Sequence, residues 1–538
     1  MHLRFLGGLF LTSVAALPAQ PSTIVRDTFV DGERLTQSLP SSAAWYTGND
    51  ARLNLGVRNG ALTLVANGRQ RDVWAYFPTV TLNVGDSLTF TVDFRWSSTP
   101  PSISTPGLKI ALCYTNGQPP RSADGTIPTG GYQGYGSFTN PADATSGTNL
   151  RKRNGAAAGN PTATLLELTD GDLADSPRIW ESLRTALNGT QQGGTPYTVV
   201  LKVTRTGADT ANLATTISGG TLSPNNTAVV TDASGIYYNF DTIAIGAANS
   251  TAYGDLAVTR AEVVHEVNSA RLVNLSILTS IPISGDSFSL GYVVGGRGTI
   301  GPKPLVIRAV GPSLGALGVP GTLDDPRLEL FAGSTKTGEN DNWGGVAAVR
   351  DAMAAVGAFA FTGPASLDAA VLTNVGAGDN SVRIAGNGGT GTTIAELYDA
   401  TPAATFSAST PRLINVSVLK FLGNELTVGF VVGGYGTKTV LVRAVGPTLG
   451  TAPFSVPGVV ADPQLTLFQE GATLAANDNW GGGAILATAF AQVGAFSLPA
   501  NSRDAALVAT LAPGSYTVQV SGVGGITGIA LVEVYEVQ

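Results

Sequence analysis

From residue 516 the chain reads Tyr-Thr-Val-Gln-Val, apolar at Tyr516, Val518 and Val520 and polar at Thr517 and Gln519. A period of two sends one row of side chains into a core and the other to water, the pattern of a half-buried strand. Pro513-Gly514 just before it supplies a turn. SVRIAG (381–386) stands in the same place of a related stretch, after GAGDN. Further back, ALTLVA (61–66), SLTFTVDFRW (87–96), LKIALCY (108–114), YTVVLKVTR (197–205) and NFDTIAIG (239–246) are alternating or continuous apolar runs of strand length, separated by polar loops. Helical periodicity is scarce. It predicts one helix over Ile179–Leu187 within a long, Gly-rich, weakly periodic stretch from about 115 to 190, which otherwise reads as extended loops.

The second half of the chain is a duplication. NDNWGG occurs at 340–345 and again at 477–482, and the neighbours of one copy match those of the other. ARLVNLS (270–276) answers PRLINVS (411–417), LGYVVGG (290–296) answers VGFVVGG (428–434), and DPRLELF (325–331) answers DPQLTLF (462–468). SLDAAVL (366–372) answers SRDAALV (502–508), and Arg308 stands opposite Arg443. Each copy predicts about seven short strands and one helix between the hexapeptide and AVGAF or QVGAF, a β-sandwich pattern. The domains expected are a leader at 1–20, a large unit at 21–268, one repeat at 269–400, a Pro/Ser/Thr linker at 401–410 and a second repeat at 411–538. The fold class is therefore all-β: an N-terminal jelly-roll sandwich followed by two homologous smaller β-sandwich repeats.

Composition narrows the function. Of 538 residues 43% are hydrophobic, ample for several cores, and the net charge of -7 argues against nucleic-acid or anionic-membrane binding. The only basic cluster, Arg151-Lys152-Arg153, reads as a solvated loop. His2 and Arg4 ahead of an apolar run from Phe5 to Leu17, with Ala19 at its end, form a secretory signal peptide. The run is too short for a membrane span and no later stretch is long enough, so export to the periplasm, cell surface or medium is expected. Cys113 is the only cysteine, which excludes an intrachain disulfide, and reads as a small buried apolar residue. Past the leader only His265 remains, which excludes multi-histidine metal sites and makes a histidine base hard to supply.

The hexapeptide has two readings. Asn and Asp adopt left-handed angles and bond their own backbone, the Gly pair allows a sharp exit, and the Trp can cover the end of a core. Alternatively, Asp325, Asn340, Asp341 and Asn342, with Asp462, Asn477, Asp478 and Asn479 in the second copy, supply oxygens of the kind Ca²⁺ prefers. The run DPRLELF, NDNWGG, DAAVL, PGSYTVQVSG and ALVEVYE resembles the bacterial pre-peptidase C-terminal domain over the latter two thirds of each copy. That resemblance implies a small jelly roll appended to secreted enzymes, with calcium in some members. DTFVDGE (27–33), AAWY (43–46), NGALTL (59–64), YTVVLKVTR and YYNFDTIAIG (237–246) resemble a concanavalin A-like lectin or laminin-G jelly roll, which implies recognition of carbohydrate or cell surface, or catalysis as in related glycosidases and lyases.

Motifs of catalysis mostly fail on their own terms. GPSLG (311–315) fits a nucleophile elbow at Ser313, but the duplicate reads GPTLG and no histidine is available to activate it. GDSL (85–88) and GDSF (285–288) lack the same partner. GRGTIG (296–301) leads into a strand rather than a helix and reads as a hairpin loop. DGDLADSPRIWE (170–181) imitates a calcium loop but places Asp where Gly belongs and carries Pro177 inside. Asp93 and Asp241 stand singly where a glycosidase would need paired acids. Tyr132, Tyr135 and Phe138 on GGYQGYGSF, with Trp180, are the candidate platform for stacking on sugar rings. The expected function is that of an exported non-catalytic binding or adhesion protein for a polysaccharide or cell-surface glycan, without nucleic-acid partner, with two repeats as spacer or attachment modules and calcium as the one candidate cofactor. The alternatives are a glycosidase or polysaccharide lyase in 21–268, or a structural envelope protein.

Overall fold

The computed structural model describes residues 21–48, 55–65, 71–99, 107–120, 122–125, 131–139, 148–153, 165–166, 180–187, 191–220, 222, 226–247, 254–402, 405–407, 409–423 and 425–537. The leader and the calcium-loop imitation up to residue 179 lie outside them, as do the side chains of residues 180–187. The chain divides into two units between Asn268 and Ser269.

The N-terminal unit is a sandwich of two antiparallel sheets. One runs, in spatial order, through Thr227–Asp232, Ala211–Gly219, Tyr197–Arg205, Ser87–Trp96, Leu256–Glu266, Ala61–Leu64 and Leu55–Arg58, with Ser22–Asp27 also paired to Leu256–Glu266. The other runs through Trp180–Leu187, Thr148–Arg153, Gln133–Thr139, Leu108–Tyr114, Asn239–Ala247, Arg71–Thr81 and Tyr46–Thr47. Alternation decides what faces inward: Phe90, Val92, Val199 and Leu201 of the first sheet meet Ile110, Leu112, Ile243 and Ile245 of the second, all of them fully buried. Two buried indoles are satisfied within the unit, Trp45 Nε1 donating to Asp27 at 3.0 Å and Trp96 Nε1 to Gln191 at 3.0 Å.

Three expectations for this unit are corrected. The GGYQGYGSF stretch is not a loop: Gln133–Thr139 is an interior strand between Leu108–Tyr114 and Thr148–Arg153. Its glycines permit close approach, since a Cβ on Gly134 would lie 2.2 Å from the Leu112 carbonyl oxygen. Ile179–Leu187 is not a helix, because Trp180–Leu187 pairs with Thr148–Arg153, and pairing overrides its helix-like spacing of apolar residues. Arg151-Lys152-Arg153 is not a solvated loop. It belongs to that same strand, and Lys152 and Arg153 are buried on opposite faces of it. Lys152 pairs with Asp232 at 2.8 Å, and Arg153 donates to the Leu165 and Tyr132 carbonyls at 2.8 and 3.2 Å.

The C-terminal unit contains both repeats, with eight strands in each copy rather than seven. In the first copy Ala369–Val375, Lys303–Val310, Gly391–Asp399 and Arg271–Ile281 form half of one sheet, and the second copy completes it with Leu426–Gly433, Gly514–Gly522, Pro463–Gln469 and Ala472–Asn477. The opposing sheet has Thr335–Asn340, Pro326–Ala332, Gly378–Gly386 and Ser287–Gly295 from the first copy, continued by Arg412–Leu422, Gly528–Glu536, Lys438–Val445 and Ala505–Leu511. The first strand of each copy thus pairs with the second strand of the other, Leu275 opposite Phe430 and Tyr292 opposite Val416. The expectation of two separate sandwiches joined by a linker gives way to one sandwich with a shared core, in which Leu275, Ile277 and Leu290 pack in the same cluster as Val416, Val418, Phe430 and Val518. The physical reason is edge pairing. Each half-sheet ends in a strand with unmet N–H and C=O groups, and the other copy supplies them. Charge follows the same symmetry, Arg271 and Lys303 pairing with Asp399 at 2.8 and 2.7 Å and Arg412 and Lys438 with Glu536 at 2.6 and 3.2 Å. Phe406, in the expected linker, lies over Arg271 at 3.8 Å.

Candidate functional site

The hexapeptide follows a short hairpin strand, Thr335–Asn340 in one copy and Ala472–Asn477 in the other. Asn340 closes the turn twice, accepting from Ala370 N at 2.9 Å and donating to the Asn342 carbonyl at 3.1 Å. Asn477 repeats both bonds at 3.0 and 2.9 Å. Gly344 and Gly345 then take φ of 64° and 66°, and Gly481 and Gly482 take 68°, left-handed values that other residues adopt at a cost. The exit turns the Trp onto the outside of the sheet, where each copy has a second, smaller core under the helix that follows the hexapeptide, Ala347–Ala355 or Ala484–Gln492. Trp343 packs there edge-on against Phe361 at 5.4 Å and Trp480 against Phe490 at the same separation. Both indoles donate, Trp343 to Gly363 O at 3.2 Å and Trp480 to Pro499 O at 2.9 Å.

Beneath each small core lies a fully buried Arg. Arg308 pairs with Glu396 at 2.7 Å and lies over Phe359 at 4.3 Å, and Tyr398 donates to the same glutamate at 2.9 Å. Arg443, Glu533, Phe496 and Tyr535 repeat the arrangement. Ser313 of GPSLG does sit at a strand-to-helix turn, opening Pro312–Ala316. Its hydroxyl donates to the buried Asp368 and accepts from Thr362 N at 3.0 Å, while Asp368 also accepts from Gly311 N at 2.8 Å. In the second copy Thr448 likewise donates its hydroxyl to Asp504, which accepts from Gly446 N at 2.8 Å. The acid here anchors a turn rather than activating a nucleophile. Cys113 offers none either, since burial pushes its thiol up to about 12. Asp93 is paired with Arg260 at 2.7 Å, and Asp241 accepts from Thr115 N and Oγ1 at 2.9 and 2.6 Å.

The aromatic platform is corrected. Tyr132, Tyr135 and Phe138 are 2%, 0% and 0% exposed, so no ring face is open to a sugar. Strand alternation turns Tyr135 into the sandwich core and Phe138 to the opposite side of its sheet, where it packs in one cluster with Tyr132, Trp74 and Leu165. Tyr132 and Tyr76 share a hydroxyl–hydroxyl bond of 3.0 Å. The Trp180 side chain lies outside the described residues.

The hexapeptide of the first copy, in contrast, borders a cleft. Arg327 and Leu328 of one strand, Glu339 and Asn340 of the hairpin, Asp341 and Asn342 of the turn, and Asn387 of a neighbouring loop line a cavity of about 500 Å³. That volume suits a small ligand. Antiparallel register explains the meeting, because Leu328 stands opposite Asn340 and Pro326 opposite Gly386. Asn387 ties the loop down, its backbone N–H donating to the Asp325 carbonyl at 3.0 Å and its side chain to Asp341. Three of the four expected oxygen ligands of this copy, Asn340, Asp341 and Asn342, therefore share the cleft. Asp325 is a close neighbour of the cleft, and among the described residues one of its carboxylate oxygens is buried without a hydrogen-bond partner, as is the corresponding oxygen of Asp462. The other Asp462 oxygen accepts from Arg503 at 3.0 Å. Asn477 is spent on its turn. Asp478 and Asn479 hold the places of Asp341 and Asn342.

This donor set is thin for calcium, which takes six to eight oxygens. Among the described residues no group of three or more His, Cys, Asp or Glu could hold a metal ion. Arg327, a fixed cation in the same cleft, opposes one further. Sequence reasoning reached the turn and missed Arg327, Glu339 and Asn387. Their signal was the mismatch between the copies, for the second carries Gln464, Ala476 and Val523 at those places.

No family model matches the chain, and no curated protein does. The likeness of the repeats to pre-peptidase C-terminal domains therefore stays an expectation. Among solved structures, the chain is similar to the Emp47p carbohydrate recognition domain at 14% identity, covering 46% of this chain and 98% of that one with a TM-score of 0.28. It is similar to the VIP36 exoplasmic/lumenal domain in its Ca²⁺/Man3GlcNAc-bound form at 11% identity, covering 41% and 82% with a TM-score of 0.25. Peanut lectin with a nonapeptide matches at 10% identity, covering 46% and 98% with a TM-score of 0.26. These neighbours are lectin-like sandwiches, and at such values nothing about the ligand of this chain follows from them.

Proposed function

We propose that the protein is exported and acts as a non-catalytic recognition protein for a polysaccharide or cell-surface glycan, bound at the cleft of the first repeat. The observation that carries this reading is the lining of that cleft: guanidinium, carboxylate and carboxamide groups in one cavity, over the buried side chain of Leu328. Sugar hydroxyls donate and accept at once, and such a mixed set satisfies both capacities. The leading sequence, with its basic start, apolar run from Phe5 to Leu17 and Ala19, supports export. The shared core of the two repeats gives the cleft a rigid frame.

The test is affinity electrophoresis of the full chain through gels containing different polysaccharides, with calcium and with chelator. Retardation on at least one glycan is expected. Loss of retardation in chelator alone would add calcium to the site. Free migration on every glycan would sink the reading.

A further inference from the structure

The duplication provides an internal comparison for the cleft. Both copies use the same backbone there: the N–H of Asn387 bonds the Asp325 carbonyl at 3.0 Å, and that of Val523 bonds the Asp462 carbonyl at 2.9 Å. The Asn-Asp-Asn turn and the leucine beneath it are kept, Leu328 opposite Asn340 and Leu465 opposite Asn477. Three polar groups are not kept, for Arg327, Glu339 and Asn387 meet Gln464, Ala476 and Val523 in the second copy. An apolar Val523 and a truncated Ala476 remove the side-chain acceptor and donor that the first copy places there.

Within the first cleft much hydrogen-bonding capacity is already spent. Both ends of the Asn340 amide are used in the turn. Glu339 accepts from Lys336 at 2.7 Å, and one Asp341 oxygen accepts from Asn387. Arg327 has no hydrogen bond or ion pair from its guanidinium among the described residues, and the second Asp341 oxygen is likewise free of partners there. A guanidinium that donates and a carboxylate that accepts, in one cleft, match two adjacent hydroxyls, one taken through its oxygen and the other through its proton. With Glu339 held by Lys336, Asp341 and Arg327 balance in charge, so the cleft offers an anionic ligand no net attraction, and Asp341 opposes a carboxylate or sulfate beside it.

We infer that the cleft of the first repeat takes an uncharged sugar residue through a vicinal diol, and that the second repeat holds no working counterpart, so each chain carries one such site. This rests on the recognition function proposed above. The test is titration of the full chain with neutral polysaccharides (mannan, a β-glucan, a galactan) and anionic ones (alginate, chondroitin sulfate). The variant R327Q/E339A/N387V carries at each place the residue the other copy already tolerates, so its thermal midpoint should stay close to wild type. Wild type should bind a neutral glycan at one site per chain, and the variant should bind it about tenfold or more weakly, as loss of charge-assisted hydrogen bonds predicts. The reverse graft Q464R/A476E/V523N should raise the stoichiometry to two, which keeps the inference testable if the first variant misfolds. Preference for anionic glycans, unchanged affinity in the variant, or two sites in wild type would overturn the inference and leave glycan recognition standing. Binding to none of the five would overturn the recognition function itself.

Discussion

Trp343 and Trp480 each donate a hydrogen bond and close a small core on the outside of a sheet, so truncating either removes a large buried side chain and leaves a cavity. Trp343→Ala should cost about 3–5 kcal/mol by chemical denaturation, and Trp480→Ala a similar amount. A cost below about 1 kcal/mol would mean the indole is not the cover it looks to be. Asp399 makes a pH prediction. Burial alone would raise its carboxyl, but Lys303 and Arg271 more than offset this and hold it below the ordinary carboxylate range. A folded value below the unfolded one stabilises fully above about pH 4, and the contribution is lost as pH falls through the folded value. Asp232 has the same sign in the N-terminal unit, where burial is outweighed by Lys152 and Tyr135. Asp27 opposes it, since burial raises its carboxyl and its contribution is lost as pH rises through the folded value. Thermal melts from pH 8 to pH 3 should therefore hold the C-terminal unit steady to about pH 4 and weaken it below. Asp399→Asn should lower the plateau by about 3–5 kcal/mol, because two buried cations lose their counter-charge, and should flatten the acid limb.

At the scale of elements, the strand Gln133–Thr139 depends on a close approach. Gly134→Ala would drive a methyl to 2.2 Å from the Leu112 carbonyl oxygen, so the strand must shift. A loss of at least about 1–3 kcal/mol is expected, and a variant as stable as wild type would show that the two strands are not so tightly apposed. This strand also marks where the sequence was hard to read. Gly-rich composition looks like loop when the reason for the glycine is a neighbouring backbone, and that neighbour is remote in sequence. The Trp180–Leu187 segment misleads similarly, since its apolar spacing suits a helix and only its partner Thr148–Arg153 makes it a strand. Strands that carry their own alternation, such as Gly514–Gly522 with Tyr516, Val518 and Val520 buried, were legible, as were the two helices after the hexapeptide. Half of the candidate site was legible too: Asn340, Asp341 and Asn342 announce themselves by repetition. Arg327, Glu339 and Asn387 come from three separate segments, and a search for matching residues passes over them because they are where the copies disagree.

At the scale of the whole molecule, the paired repeats should unfold as one body. Strands of one copy complete the sheets of the other, and the core runs across the boundary without interruption. Leu290→Ala, a change in the first copy costing about 2–5 kcal/mol, should therefore destabilise both copies equally. Hydrogen exchange in rising denaturant should show the strands around Val382 and Val518 losing protection together. Two separated transitions would refute the shared fold.

The same pairing has a consequence for how such chains can grow. Each copy spends the edges of its first two strands on the other, and the reciprocal exchange leaves nothing over for a third copy to join in the same way. A single copy would be left with both of those edges raw and would seek a twin from another chain. For this repeat parity matters more than length: even numbers close on themselves, and an odd one is an invitation.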